Sequence, residues 1–267
     1  MTLFQLFMVA AIQGLTEFLP VSSSGHLVLL PALTGGPDQG LAIDVAVHVG
    51  TLIAVVLYFR ADVKIALLGA GRLMHGRVDT QGAFLALCLI LSTIPVIVAG
   101  LIIKLTGLDE AMRSVAVIGW TMLLFGLVLF WADKIGTTEK TSEAWSIKDA
   151  MIMGLAQVLA LVPGTSRSGI TITAARRLGY DRESAAKLSM LMSIPTILAS
   201  GALLSLDVIQ QANWAIARDG LIAAAFAFVA ALVALSLMMR LLRSISFTPY
   251  VVYRVLLGVV LLIYAYA

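Results

Sequence analysis

Residues 13–26 read Gln13-Gly-Leu-Thr-Glu-Phe-Leu-Pro-Val-Ser-Ser-Ser-Gly-His26, a polar segment between the apolar runs 3–12 and 27–33. Gln13 and Glu17 are four apart and share one face of a helix. Pro20 then ends that helix, because it lacks an N–H and restricts the residue before it. The composition Ser-Ser-Ser-Gly suits a helix N-cap, so a second short helix is predicted near Gly25. A helix N-terminus lined with hydroxyls and backbone N–H groups binds anions readily. Serines that only cap a helix, beside an interfacial histidine, are the plainer reading. Polar and ionisable groups inside a membrane segment are costly, however, and favour function.

The rest of the chain shows that a membrane is the setting. Of 267 residues, 60% are hydrophobic and 12% charged, and the mean hydropathy is +1.01, where a soluble domain carries about 25% charged residues. The sequence therefore describes an all-α polytopic membrane protein. One cysteine, Cys88, excludes an intrachain disulfide and a thiolate metal site. The net charge of +3 follows membrane topology and does not indicate a nucleic-acid partner. No Lys or Arg precedes Arg60, so the first apolar run lacks the basic flank of a signal peptide and is expected to stay in the fold.

Six runs approach the roughly 20 apolar residues of a crossing helix: 41–59, 83–103, 114–132, 188–206, 221–239 and 249–267. Two further apolar regions, 3–34 and 147–178, are broken at 20–26 and 163–169 and read as re-entrant helix–loop–helix pairs. Gly14-Leu15-x-Glu17-x-Leu19 matches Gly154-Leu155-x-Gln157-x-Leu159. Asp44 and His48 match Glu183 and Lys187, and Thr93-Ile-Pro95 loosely matches Thr248-Pro249. These pairings predict a duplication, with residues 1–132 as one repeat and 147–267 as the other. Each repeat would hold one re-entrant pair and three spans, and an odd number of spans inverts the second copy, as in many secondary transporters.

Charge supports that topology. With the N-terminus outside, the loops at 60–77, 133–149, 176–187 and 240–243 carry thirteen of the 18 Lys and Arg, against three outside. The two re-entrant tips then enter from opposite sides and can meet.

The second tip is Pro163-Gly-Thr-Ser-Arg-Ser-Gly169. Arg167 offers a planar fork of donors suited to phosphate and keeps its charge when buried. It could simply neutralise Glu17, but the hydroxyls of Thr165, Ser166 and Ser168 and a helix N-terminus surround it. Together the two tips predict a site for a multiply charged anion, best a phosphate or diphosphate.

The stretches Glu17–His26 and Pro163–Gly169 resemble the two signature motifs of the bacterial undecaprenyl-diphosphate phosphatases, the bacitracin-resistance family. The likeness extends to Asp44–Val56 and to Ser246-Phe-Thr-Pro-Tyr-x-x-Tyr-Arg254. It implies a multi-pass enzyme of the bacterial inner membrane, with its site facing the periplasm. The enzyme would remove the terminal phosphate of a polyprenyl diphosphate, recycle the carrier lipid for cell-wall synthesis and confer bacitracin resistance. The likeness also implies catalytic roles for Glu17, Ser23, His26 and Arg167, with Gln13, Ser22, Ser24, Gly25, Thr165, Ser166 and Ser168 around the substrate. It further implies a divalent cation, Mg²⁺ or Ca²⁺, held by Glu17 with the substrate's phosphates. Many family members have Glu where this chain has Gln13, and losing one carboxylate weakens an acidic metal site.

Ser23, activated by His26 or Glu17, is the favoured nucleophile, with His26 preferred as the group that takes its proton; His26 itself and an activated water are the alternatives. A transporter or flippase of polyprenyl phosphate is the reading from another class, since fold does not dictate function. Against it, Gln157 stands where Glu17 has its counterpart and no histidine follows the second turn, so the chemistry is concentrated in one half. Asp44–His48 and Glu183–Lys187 read as structural pairs, and Arg254 as snorkelling or paired with an interior acid. Residues 60–77 read as a cytoplasmic surface segment. The partners expected are the lipid substrate and the bilayer, and the sequence is compatible with a homodimer.

Overall fold

A computed structural model describes residues 1–34, 39–108, 112, 114–209 and 214–267. Helix α1 (Leu3–Thr16) opens on a capping box: the Thr2 hydroxyl accepts from Gln5 N and the Gln5 side chain accepts from Thr2 N. It ends at Thr16, ahead of Pro20, and α2 (Ser23–Thr34) starts two residues before the predicted Gly25. Among the described residues, six helices are long and apolar enough to cross a bilayer: α3 (Leu41–Tyr58), α5 (Gln81–Thr106), α6 (Val115–Ile135), α9 (Arg182–Ile209), α10 (Trp214–Leu241) and α11 (Thr248–Tyr266). Between them lie α4 (Arg60–Leu73), α7 (Ile147–Val158) and α8 (Arg167–Arg177). The chain is thus an all-α polytopic membrane protein, with large apolar side chains such as Leu101, Leu124, Val229 and Leu256 on its outside.

The two broken regions are built into the bundle in the same way. Helix α1 lies on α10, and α7 lies on α5. In each contact a glycine lets two backbones touch. A Cβ on Gly14 would meet Ala227 O at 2.7 Å, and one on Gly154 would meet Ser92 O at 2.4 Å. The same exchange relates α3 on α10 to α9 on α5, while α6 packs on α11. Helix α8 wedges against α6 and α9. Leu29 of α2 buries itself against Ile118 and Met122 of α6 and Leu261 of α11.

Three sequence expectations need correction. Thr93 lies within α5 whereas Thr248 opens α11, positions that do not correspond between the halves. Lys187 pairs with Asp62 at 2.8 Å and Glu183 with Arg243 at 3.2 Å, so this acid–base pair ties separate elements rather than its own helix. Arg254 neither snorkels nor meets an acid, as described below.

A second polar hub lies at the opposite end of α8 from Arg167. Arg176, fully buried, donates to Asp133 Oδ1 at 3.0 Å and to the carbonyls of Thr137 and Gly136. Arg182 reaches the same Asp133 oxygen at 2.8 Å. Nearby, the Tyr180 hydroxyl donates to Asp149 at 2.7 Å, and burial together with that carboxylate raises the phenol's pKa. This hub fixes the C-terminal end of α8, so its N-terminal end is presented on a rigid support.

Candidate active site

The turns that break the two regions are built alike. Ser22 and Ser166 are the two non-glycine residues with positive φ among those described, at 73° and 72°, a conformation that costs an L-residue roughly 1–2 kcal/mol. Each then caps the helix it precedes: Ser22 Oγ accepts from Gly25 N at 3.3 Å, and Ser166 Oγ accepts from Gly169 N at 3.1 Å. Each serine hydroxyl also approaches the one two residues on, Ser24 at 3.4 Å and Ser168 at 3.1 Å. The earlier amides, at Ser23, Ser24, Arg167 and Ser168, have no helical carbonyl to donate to. Two helix N-termini therefore offer amide donors and positive dipole ends.

The tips touch. Ser168 Oγ donates to Leu19 O at 2.9 Å, and Arg167 Nη2 donates to Glu17 Oε1 at 2.7 Å. Arg254, entirely buried on α11, binds both: it donates to Pro20 O at 3.3 Å on one side and to Gly164 O and Thr165 O at 3.0 and 2.9 Å on the other. It also donates to the carbonyls of Thr121 and Met122 on α6. An arginine whose donors all end on carbonyls works as a clamp on the backbone.

Glu17 is the centre. Its Oε2 accepts from Ser23 Oγ at 2.6 Å and from Gln13 Nε2 at 2.8 Å, while Oε1 holds Arg167. The expected partnership of Ser23 with His26 is corrected here, because the serine proton points at Glu17. His26 Nδ1 donates to Ser22 O at 2.6 Å, and its Nε2 meets the Tyr253 hydroxyl at 2.6 Å. Tyr253 sits inside a stretch quoted from the sequence, yet it had no assigned role. His48, read as part of a structural pair, puts Nε2 3.8 Å from Glu17 Oε2. Of the predicted residues, Gln13, Ser22, Gly25, Thr165, Ser166 and Ser168 are buried around this centre, and Ser24 is exposed above it.

Three buried polar atoms of the site have no hydrogen-bond partner: Arg167 Nη1, Thr165 Oγ1 and Gln13 Oε1. Such atoms cost about 1–3 kcal/mol each if left unsatisfied, so the site is shaped for a polar ligand. The residues fit a resident divalent cation poorly. Both oxygens of the one carboxylate already accept bonds, one of them from a guanidinium, and Gln13 turns a donor toward it. Among the described residues there is no group of three His, Cys, Asp or Glu side chains. A cavity of about 510 Å³ opens beside the site, with Ser24, His48 and Pro163 on one wall and Leu27, Leu161 and Leu204 among its apolar lining.

Comparison with known proteins places the chain in a family. The family model of the bacitracin resistance protein BacA matches residues 6–260. A protein of Roseobacter denitrificans named undecaprenyl-diphosphatase is 76% identical over 267 residues, the whole of both chains. The undecaprenyl-diphosphatase of Dinoroseobacter shibae is 69% identical over the same length. Undecaprenyl-diphosphatase 1 of Rhodospirillum rubrum is 47% identical over 272 residues, all of this chain and 96% of its own. Both signature tips lie inside the matched span, and the chain belongs to the bacitracin resistance protein BacA family.

Proposed function

We propose that the protein is a phosphatase that hydrolyses undecaprenyl diphosphate to undecaprenyl phosphate and phosphate. The observation that carries this reading is the pair of unpartnered buried groups on the second tip, Arg167 Nη1 and Thr165 Oγ1, facing a carboxylate–serine pair on the first. Phosphoryl transfer is mostly positioning and charge stabilisation. Arg167 and the amides of α2 and α8 supply both for the terminal phosphate. Ser23 Oγ attacks phosphorus, and Glu17, already accepting its hydrogen bond, takes the proton. The prenyl phosphate leaves with the electrons of the broken P–O bond. Water then releases phosphate from Ser23. His26 and Tyr253 hold the first turn of α2 in place.

The prenyl chain runs from the tips into the apolar part of the 510 Å³ cavity and on into lipid. In this reading the protein sits in the bacterial inner membrane with the cavity toward the periplasm, an orientation supported by the distribution of Lys and Arg. Residues 1–132 and 147–267 are inverted copies, supported by the exchange of packing partners and the matched turns at Ser22 and Ser166. Any Mg²⁺ or Ca²⁺ would be held by the substrate's phosphates more than by Glu17, and would supply charge neutralisation there. Bacitracin resistance follows from restored carrier lipid.

The test is phosphate release from a long-chain polyprenyl diphosphate by the detergent-purified protein beside Arg167→Ala. Release by the wild type and its loss in the variant are expected. A folded, lipid-supplemented wild type that releases none would remove the phosphatase reading and favour transport of a polyprenyl phosphate.

A further inference from the structure

We propose that His48 is the proton acceptor behind Glu17, receiving through it the proton that Ser23 gives up; this rests on the phosphatase reading. The helix puts His48 in a defined state. Its Nδ1 lies 2.7 Å from Asp44 O, and a carbonyl can only accept, so Nδ1 carries a hydrogen and the neutral ring has its lone pair on Nε2. That nitrogen lies 3.8 Å from Glu17 Oε2, the same oxygen that accepts from Ser23. The separation is longer than a hydrogen bond and suits one bridging water that donates to both, and after proton transfer an ion pair. His26 has the same backbone tether but spends its Nε2 on Tyr253, so of the two imidazoles only His48 faces the carboxylate–serine pair.

The chemistry requires such a group. A proton left on Glu17 would cancel the charge that holds Arg167 Nη2, just as the phosphoryl group needs that arginine fixed. Passed on to His48, the proton leaves Glu17 charged and flanked by Arg167 and an imidazolium. In the second half-reaction the water oxygen bonds to phosphorus and the P–Oγ bond breaks. The Ser23 oxygen recovers its proton from His48 through Glu17, and the water's proton leaves with the phosphate. Among the described residues, the groups facing His48 are few. Glu17 and, beyond it, Arg167 come from the tips; Asp44, which accepts from Gln39 at 2.9 Å, comes from its own helix. The nearby wall from α9 is Ser200, Gly201 and Leu204, all uncharged. The imidazole is 37% exposed to the cavity, so a small base can reach its place.

The experiment compares wild type, His48→Ala and His48→Gln, purified as the full chain, in phosphate release from a polyprenyl diphosphate. The expected loss is in kcat, about 100-fold, with KM little changed. Added imidazole should restore His48→Ala at least tenfold, whereas pyrazole, of the same shape but hardly basic, should not. His48→Gln, which fills the space, should stay slow with either. A His48→Ala enzyme within threefold of wild type, a loss confined to KM, or equal rescue by both azoles would overturn the assignment and leave the phosphatase reading intact. Inactive wild type beside a folded protein would remove the reading and this inference with it.

Discussion

The two tips share a backbone and differ in their side chains. At each, a serine in the left-handed region caps a short helix and a second serine follows two residues later. Between those serines the first tip carries Ser23 and the second carries Arg167. The next position after the glycine is His26 in one and Ile170 in the other, and the sequence match sets Gln157 opposite Glu17. In the proposed mechanism two alike turns therefore present an asymmetric site, with the reacting oxygen and its base on one tip and the fixed positive charge on the other. Binding an anion would need only the shared part. The unshared part is what phosphoryl transfer to a serine requires.

The largest effect is expected from removing the positive charge of the second tip. Arg167→Ala should lower kcat/KM by roughly 1,000-fold. Arg167→Lys should recover little of it, because one ammonium cannot reach Glu17 and a phosphate as a fork does. Phosphate release by the two variants is the check. Ser24→Ala, at the exposed serine beside the nucleophile, should fall by less than about tenfold, while Ser23→Ala should lose about as much as Arg167→Ala.

Arg254 is what both tips have in common, so Arg254→Met should damage them together. Its loss leaves carbonyls on both turns unpaired at about 1–3 kcal/mol each. A lower unfolding temperature in detergent, together with lower activity, is expected; a variant as stable as wild type would show that the clamp is dispensable.

Gln13→Glu sharpens the asymmetry further. It replaces an amide donor by a second carboxylate beside Glu17 and so creates an acidic pair that can hold a hard cation. Calorimetry without substrate should detect Ca²⁺ binding to this variant and none to the wild type. Binding of equal strength to both would show that the wild-type residues already form a metal site. The smallest effect is expected at Ser22→Gly and Ser166→Gly. Glycine relieves the positive φ but removes the cap, and the two changes nearly cancel, leaving less than about 1 kcal/mol in either variant's unfolding.

Much of this was legible in the sequence because a bilayer enforces it. Six apolar runs and two broken ones gave the elements, and the Gly14 and Gly154 matches marked where helices touch. The tip motifs pointed to residues that the structure brings together, because polar groups are rare in such a chain and stand out. What could not be read was how those residues pair. Ser23 to Glu17 or to His26 differs only by the rotation of one turn, and the turn depends on a positive φ at Ser22 that no serine announces. Tyr253 and Arg254 reach the site from 227 and 234 residues away, through helix contacts set by packing. His48 shares a helix face with Asp44, and that local pairing concealed its approach to Glu17.

The most direct test of the asymmetric site is to find where phosphate rests during turnover. Wild-type protein mixed with a diphosphate radiolabelled in its terminal phosphate, acid-quenched within one turnover and mapped by peptide, should carry the label on Ser23, and Ser23→Ala should carry none. Label on His26, or rapid turnover by Ser23→Ala, would contradict the account.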